Sequence, residues 1–270
     1  MKEICDPDSA PDRKATVVGT RWNLAKDTLS VKEVASEDYA PTKRNILKKV
    51  ASYYDVFGVL AAVTIRPRML LQKLWQFDLG WDTELSNHSD LYVEWQTIER
   101  DLKDVGKIEI PRCLIPEKYK GMSPLPDVSL HGSSDASENA MGVTVHLRWS
   151  ESEDHPAELT FVCARARVTP LKQTSIPRKE LQALLLLCRL LLSVRSALRL
   201  DIQYTKLWTD SMTAIRWLRG QSKSFRSYVA CRVGEISTDF DPVKDIAYIP
   251  TDQNIADLIS RGVTADRAWM

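Results

Sequence analysis

Four acidic residues stand where a metal-binding site could form: Asp135, Glu180, Asp210 and Asp257. Each lies where a predicted strand or helix begins or ends, and side chains at such ends can converge. Mg²⁺ takes oxygen ligands and is shared between a few carboxylates, waters and substrate phosphates. Two such cations, about 3.5 to 4 Å apart, could activate a water and stabilise the leaving oxygen of a phosphodiester displacement. The four acids therefore predict a hydrolytic site that uses Mg²⁺, with Mn²⁺ as an alternative.

The elements around these acids predict that they share one crevice. Asp135 and Asp210 each follow a predicted strand, and neighbouring strands lie about 4.8 Å apart, so their terminal carboxylates would fall close together. Glu180 lies in the first turn of a leucine-rich helix that opens at Pro177, a residue suited to that position. Asp257 lies one turn into the last predicted helix. Two strand ends and two helix starts can face the same space.

Each acid alone also has a structural explanation. Asp135 and Asp210 could be turn or N-cap residues, while Glu180 and Asp257 could favour helix N-termini through their charge. Their separations of 45, 30 and 47 residues, within a matching order of elements, favour the shared site over these explanations.

A strongly basic stretch runs beside the acids, although the net charge of the chain is only +1. Between Cys163 and Arg232 there are fourteen Lys and Arg residues and three acids, two of which belong to the proposed cluster. Such a stretch favours a polyanionic partner, because neutralising phosphates releases counterions. A solvated helix face is the alternative explanation. Together with the acids, the stretch indicates a nuclease.

Composition excludes several other classes of protein. The 270 residues are enough for two domains, with 44% hydrophobic and 27% charged residues, both ordinary globular values. Five scattered cysteines and four histidines without ligand spacing suggest neither a disulfide framework nor a zinc site. The most apolar run, residues 181–194, is shorter than the roughly 20 residues that cross a bilayer and contains Arg189. We expect a cytoplasmic protein, with the nucleus as the alternative.

The predicted elements divide the chain into a strand-containing start, a helical middle and a mixed second half. A loose lead-in over residues 1–14 precedes two short strands joined by a turn at 25–27, and Thr42 is a predicted N-cap for a helix that ends at Gly58. Two more helices are predicted near 65–75 and 90–102, and a linker over 118–126. The second half is predicted to contain these elements: strands 128–134, 142–149 and 159–168, helix 177–198, strand 204–209, helices 211–218 and 225–236, strand 245–249 and helix 254–260. This order predicts a mixed sheet with helices packed on it.

The residues around the acids also resemble a known family. Residues 134–142 (SDASENAMG), 175–183 (SIPRKELQA), 207–211 (LWTDS) and 249–262 (IPTDQNIADLISRG) resemble the ribonuclease H domain of BEL/Pao-type retrotransposon polyproteins. Residues 42–47, 54–66 and 71–75 are similar to the segment that joins polymerase to ribonuclease H in those polyproteins. Residues 18–22 (VGTRW) look like the strand at the end of the polymerase palm. The resemblance covers nearly the whole chain.

The resemblance implies an α/β (α+β) ribonuclease H-like fold, a mixed five-stranded sheet flanked by helices. It implies three regions: the tail of a polymerase palm with short strands over 1–40, a helical connection or thumb-like module over 41–117, and a ribonuclease H-like domain over 126–270. It further implies Mg²⁺-dependent hydrolysis of the RNA strand of RNA:DNA hybrids, with Asp135, Glu180, Asp210 and Asp257 as the metal-binding acids. An upstream reverse transcriptase core in the parent polyprotein is the implied protein partner.

Basic residues near the acids are candidates for contacts to the nucleic acid: Arg178, Lys179, Arg219, Lys223 and Arg226. Those of the segment 217–226 are interleaved with Trp217 and Phe225. Both rings are predicted to be core residues, and the cations could hold the phosphates of the DNA strand while the acids face the RNA. Contacts to 2′-hydroxyl groups would distinguish RNA from DNA.

Several related activities are not predicted. The chain lacks the Tyr/Phe-x-Asp-Asp strand of a polymerase, the Asp-Thr/Ser-Gly loop of an aspartic peptidase and the zinc motif of an integrase. Because the polymerase core is missing, a second hypothesis stays open: a catalytically silent nucleic-acid-binding remnant of a reverse transcriptase polyprotein.

Overall fold

The structure, a computed structural model, describes residues 14–32, 39–151, 156–172 and 174–268. The predicted lead-in, apart from Lys14, lies outside the described residues, as do Cys5 and His155. The chain packs as two units. One contains the described residues up to Cys113 together with those from Val263 onward, and the other is Leu114–Gly262. Among the described residues, no helix combines the length and the hydropathy that crossing a bilayer requires.

The first unit combines a small antiparallel sheet with three helices. The sheet has the strand order β1-β2-β3-β4, formed by Lys14–Val17, Thr20–Asn23, Thr28–Val31 and Glu109–Pro111. The helices are α1 (Lys43–Ser52), α2 (Ala61–Leu74) and α3 (Ser89–Asp104). The first strands therefore form a three-stranded antiparallel meander and not the two strands predicted, and a fourth strand lies in the region predicted to be helical.

Side-chain hydrogen bonds mark the start of α1 and the turn that precedes α2. Thr42 is confirmed as the N-cap of α1, since its hydroxyl accepts a hydrogen bond from the Asn45 amide at 3.2 Å. The predicted end of that helix at Gly58 is wrong, because α1 ends at Ser52. The Asp55 carboxylate accepts from the amides of Val59 and Leu60 at 2.9 and 2.7 Å, just before α2 begins. Asp55 thus supports the next helix instead of lying within the first.

The second unit is built on a five-stranded mixed sheet. Its strands, in the order β7-β6-β5-β8-β9, are Glu158–Val168, Ala140–Ser150, Asp127–Ala136, Ile202–Thr209 and Ile246–Tyr248. β5, β6 and β7 form an antiparallel meander, whereas β8 is parallel to β5 and β9 is parallel to β8. The predicted mixed sheet is confirmed.

Helices flank this sheet and are the elements α4 (Ile176–Ala197), α5 (Met212–Arg219), α6 (Ser227–Asp239) and α7 (Ile255–Arg261). The buried core contains the apolar face of α4, including Leu184, Leu187 and Leu191, packed with Leu130 of β5 and Leu207 of β8. The apolar run of the sequence is therefore a core helix, as predicted, with Arg189 exposed and paired to Glu235.

Candidate active site

Asp135 is the penultimate residue of β5, so it lies inside the strand and not after it as predicted. Its side chain is 7% exposed, and Oδ2 accepts a hydrogen bond from the Ser260 hydroxyl of α7. Burial raises the pKa of the Asp135 carboxyl, and the charges of Asp210 and Asp257 raise it further, against the lowering effect of Ser260. A buried acid with two acidic neighbours is thereby fixed at the end of a central strand.

Glu180 is the fifth residue of α4, so it lies just beyond the first turn and not within it as predicted. Its Oε2 accepts a hydrogen bond from the Ser211 hydroxyl, and Ser211 is also the N-cap of α5, accepting from the Ala214 amide at 3.1 Å. Burial is the main cause that raises the pKa of Glu180, and the charges of Asp210 and Asp135 add to it. Glu180 and Asp135 are thus electrostatically coupled.

Asp210 follows β8 directly, as predicted. Its Oδ2 accepts a hydrogen bond from the Thr251 hydroxyl at 2.7 Å. Its Oδ1 is buried and has no hydrogen-bond donor among the described residues. A buried carboxylate oxygen without a donor is unfavourable by roughly 1–3 kcal/mol or more, which a cation or an ordered water would relieve.

Asp257 occupies the first turn of α7 and is half-buried. Its Oδ1 accepts from Arg261 Nε at 2.6 Å, and the pKa of Arg261 is raised by Asp257 first, with further contributions from Asp135 and Asp210. The N-cap Asn254 fixes this helix to the sheet, because its Nδ2 donates to the Ser134 carbonyl at 3.1 Å. α7 is therefore anchored one residue before Asp135.

The four predicted acids form one electrostatically coupled set. Asp135 is affected by Asp210 and Asp257, and Glu180 by Asp210 and Asp135. Within the described ranges, however, no three Asp, Glu, His or Cys side chains converge closely enough to hold one metal ion. Each of the four carboxylates accepts a hydrogen bond from a hydroxyl or guanidinium group of the protein.

The donor chemistry of the set fits a hard divalent cation. All four acids offer carboxylate oxygens, the ligands that Mg²⁺ and Mn²⁺ prefer. The Asp210 Oδ1 atom is buried and unpartnered, and a cation would also offset the mutual repulsion that raises the pKa of Asp135 and Glu180. Asp135, Glu180, Asp210 and Asp257 are the residues that would hold it.

The residues that hold the acids were not predicted as site residues: Ser211, Thr251, Ser260 and Arg261. Ser211 could be predicted as the start of α5, but not as a donor to a carboxylate 31 positions away. Arg261 carried a detectable signal, because an acid followed four positions later by a cation is a favoured helical pair.

The five predicted phosphate-contacting cations lie in different settings. Arg178 stacks on the Tyr228 ring at 5.5 Å, and Lys179 Nζ donates to the Glu138 carbonyl at 2.7 Å. Arg219, Lys223 and Arg226 are exposed on and after α5. The two aromatic residues between them, Trp217 and Phe225, pack against the core, which confirms the prediction.

The strand order β7-β6-β5-β8-β9, with acids at the ends of β5 and β8, defines a ribonuclease H-like fold. A sequence profile described as "Pao retrotransposon-like RNaseH-like domain" matches residues 42–211, which is more than half of the chain. The chain belongs to this family. The match contains Asp135, Glu180 and Asp210, while Asp257 lies beyond it. Family membership supports a nuclease of the ribonuclease H type.

Solved structures with a similar fold share little sequence with the chain. LC11-RNase H1, solved with an RNA/DNA hybrid, is 16% identical, with 53% of this chain and 100% of that chain covered and a TM-score of 0.35. A foamy viral protease-reverse transcriptase in complex with dsDNA is 12% identical, with 88% and 45% covered and a TM-score of 0.46. RNase H1 from the archaeon Halobacterium salinarum is 14% identical, with 48% and 90% covered and a TM-score of 0.29. No curated protein matches the sequence.

Proposed function

We propose that the chain is a retrotransposon-derived ribonuclease H-type endonuclease that hydrolyses the RNA strand of RNA:DNA hybrids. The observation that carries the proposal is the coupled set of Asp135, Glu180, Asp210 and Asp257, in which one oxygen of Asp210 is buried without a donor. Its protein partner would be the upstream reverse transcriptase core of a parent polyprotein.

The chain's own residues would position the metal ions and supply the negative charge that binds them. The four carboxylates would hold two Mg²⁺ or Mn²⁺ ions, which would supply Lewis acidity at the scissile phosphate and lower the pKa of water. Ser211, Thr251 and Ser260 would restrict the positions of the Glu180, Asp210 and Asp135 carboxylates through the hydrogen bonds that they donate. No side-chain nucleophile is required, because a water attacks the phosphorus in this chemistry.

The basic residues would hold the substrate. Arg178 and Lys179 precede Glu180 in α4 and point to other faces of the helix, so they would hold phosphates around the N-terminal end of α4. Arg219, Lys223 and Arg226 extend the positive surface along α5 and the turn after it. Phosphate contacts of this kind position a nucleic acid without reading its sequence, so we expect little sequence preference in binding.

A second function, a nucleic-acid-binding protein without catalysis, is favoured by two observations. Among the described residues, no three potential ligand side chains converge on one point, and each of the four acids already accepts a hydrogen bond from the protein. In that case the acids would serve the structure alone, and the basic residues would carry the function.

Cleavage of a labelled hybrid tests the two functions. The wild-type protein with Mg²⁺ should release short RNA products. Asp210→Asn should lower the cleavage rate more than about 100-fold, since replacing even a residue that hydrogen-bonds to a metal ligand lowers activity about 10–100-fold. Asp201→Asn is the matched control, because Asp201 is exposed at the opposite end of β8. Its cleavage rate should equal that of the wild type.

Binding of the hybrid without cleavage by folded wild-type protein, over a range of Mg²⁺ and Mn²⁺ concentrations, would refute the nuclease and leave the binding protein. Equal cleavage rates for wild type and Asp210→Asn would refute the assigned site.

A further inference from the structure

Two arginines stack on one tyrosine between α4 and α6. The guanidinium carbon of Arg232 lies 3.6 Å from the centre of the Tyr228 ring, and that of Arg178 lies 5.5 Å from it. Planar guanidinium groups stack favourably on aromatic rings, and stacking leaves their N–H edges available for oxygen acceptors. We call these three residues the arginine–tyrosine stack.

Hydrogen bonds fix the position of the stack. The Tyr228 hydroxyl donates to Gln182 Oε1 at 2.7 Å, which ties the ring to α4. Arg232 Nη1 donates to the Tyr228 carbonyl at 2.9 Å, which ties the second guanidinium to its own helix. Since less side-chain freedom remains to be lost on binding, such an arrangement favours a ligand more than two mobile arginines would.

The positive charge of the stack is not neutralised within the part of the chain that the structure describes. Neither Arg178 nor Arg232 forms an ion pair there, and Arg232 Nε is buried without an acceptor. Glu235, one turn further along α6, is occupied by Arg189 through two bonds of 2.7 and 3.0 Å. Arg232 helps to lower the pKa of Glu235 but makes no bond to it. A buried guanidinium N–H without an acceptor favours a bound anion.

We infer that the arginine–tyrosine stack is a binding site for a phosphodiester group of the nucleic-acid backbone. Arg178 lies two residues before Glu180 in α4, about 3 Å along the helix axis but on a different face of the helix, so the stack would hold the strand on the α6 side of α4. The inference rests on the proposed function and names the groups that would hold the substrate strand. Tyr228 and Arg232, which no sequence motif indicates, thereby become positioning residues.

Hybrid binding in EDTA tests the site without any contribution from catalysis. Fluorescence anisotropy with a labelled RNA:DNA hybrid should give a Kd for Arg232→Gln about tenfold weaker than wild type, and the slope of log K against log salt should fall by about 1. Arg195→Gln is the matched control on the last turn of α4, where the side chain is exposed and away from the stack. Its Kd and salt slope should equal those of the wild type.

Two further variants keep the test independent of folding. Arg178→Gln should reproduce the weaker binding, and Tyr228→Leu, which removes the ring on which both arginines stack, should weaken binding as well. Thermal unfolding shows whether each variant is folded. The site is refuted if folded Arg178→Gln and Arg232→Gln both keep the wild-type salt slope, or if Arg195→Gln loses as much affinity as they do. If these variants bind the hybrid more weakly but the wild-type protein does not cleave it, the binding site is supported and only the nuclease function is refuted.

Discussion

Asp135 and Glu180 carry a charge that burial makes unfavourable. Both acids have a raised pKa, with burial as the first cause and neighbouring acids as an additional one. For an acid, a raised folded-state pKa means that the charged form is less favourable in the folded than in the unfolded protein. Without a cation, these side chains therefore reduce stability at neutral pH, an arrangement that is common where function requires strain.

Replacement of Asp135 by Asn should stabilise the cation-free protein. Asn removes the buried charge while its Oδ1 can still accept from Ser260, so the free energy of unfolding at pH 7 should rise by about 1 kcal/mol, or 2–4 °C in Tm. The gain should disappear below about pH 4, where Asp135 is protonated in both states. Calorimetry in EDTA measures it, with Asp201→Asn as an unchanged control. A lower Tm for Asp135→Asn would contradict this account.

At the scale of single residues, the coupling of the four acids could be predicted, whereas their hydrogen-bond partners could not. Asp135, Glu180, Asp210 and Asp257 occur in recognisable motifs at element ends. Their hydrogen-bond donors come from distant positions, as with Ser260, which is 125 residues from Asp135. A donor of that kind is defined only by the packing of α7 on the sheet, which no local pattern in the sequence contains.

The packing of α7 depends on Gly142 of β6, which is paired with Asp135 across the strands. A Cβ atom at position 142 would lie 2.6 Å from Ile259 Cβ and 2.8 Å from the Ala256 carbonyl oxygen. Both are atoms of α7 close to its backbone and cannot rotate away. The glycine therefore sets the distance between the sheet and the helix that carries Asp257.

Gly142→Ala should displace α7 and destabilise the protein by about 1–3 kcal/mol, the range of overpacked interiors. The expected signs are a lower urea midpoint and faster amide hydrogen exchange over residues 255–261. Gly234→Ala is the matched control, because a Cβ there meets no atom within 4 Å and alanine favours the helix α6. Unchanged exchange in α7 together with an unchanged midpoint for Gly142→Ala would contradict the role assigned to Gly142.

Most elements of the second unit could be predicted because their apolar patterns are long. The strands and helices there match the predicted order, with ends that differ by a few residues. Shorter elements were missed or misplaced. β4 has three residues and is defined by pairing with β3, more than 75 positions earlier in the chain. The end of α1 was misplaced because glycine is a common helix terminator, whereas here α1 ends at Ser52 and Asp55 binds the amides of the turn before α2.

At the scale of the whole molecule, two histidines make stability depend on pH. His131 of β5 accepts a hydrogen bond from Trp208 Nε1 at its Nδ1, at 3.1 Å, which requires the neutral ring. Its neighbour across the strands is His146. Burial lowers the pKa of each to about 4 from the ordinary 6.5, and for His131 the charges of Arg148 and Lys206 add to the effect. Between about pH 4 and pH 6.5, the unfolded chain therefore binds more protons than the folded chain.

Stability should accordingly be highest above pH 6.5 and should fall as the pH decreases toward 4. The raised pKa values of Asp135 and Glu180 act in the opposite direction, so a variant is needed to separate the contributions. Urea unfolding at pH 7.5 and pH 5.0 should show a smaller loss for His146→Phe than for wild type. Identical losses would contradict the assignment to His146.

The chain leaves the first unit after Cys113 and returns to it at Val263, and this connectivity affects the stability of the second unit. Leu114–Gly262 is inserted into the first unit, whose sequence resumes at Val263 with a hydrogen bond from the Val263 amide to the Ala62 carbonyl at 3.0 Å. While the first unit stays folded, it holds the two ends of the insert together. The insert can then unfold only as a closed loop of roughly 150 residues. Closing a ring of that length lowers the conformational entropy of the unfolded insert, which raises the free energy of its unfolded state by about 4 kcal/mol. A cut between Gly262 and Val263 would release that constraint on the nuclease-like half without removing any of its own contacts.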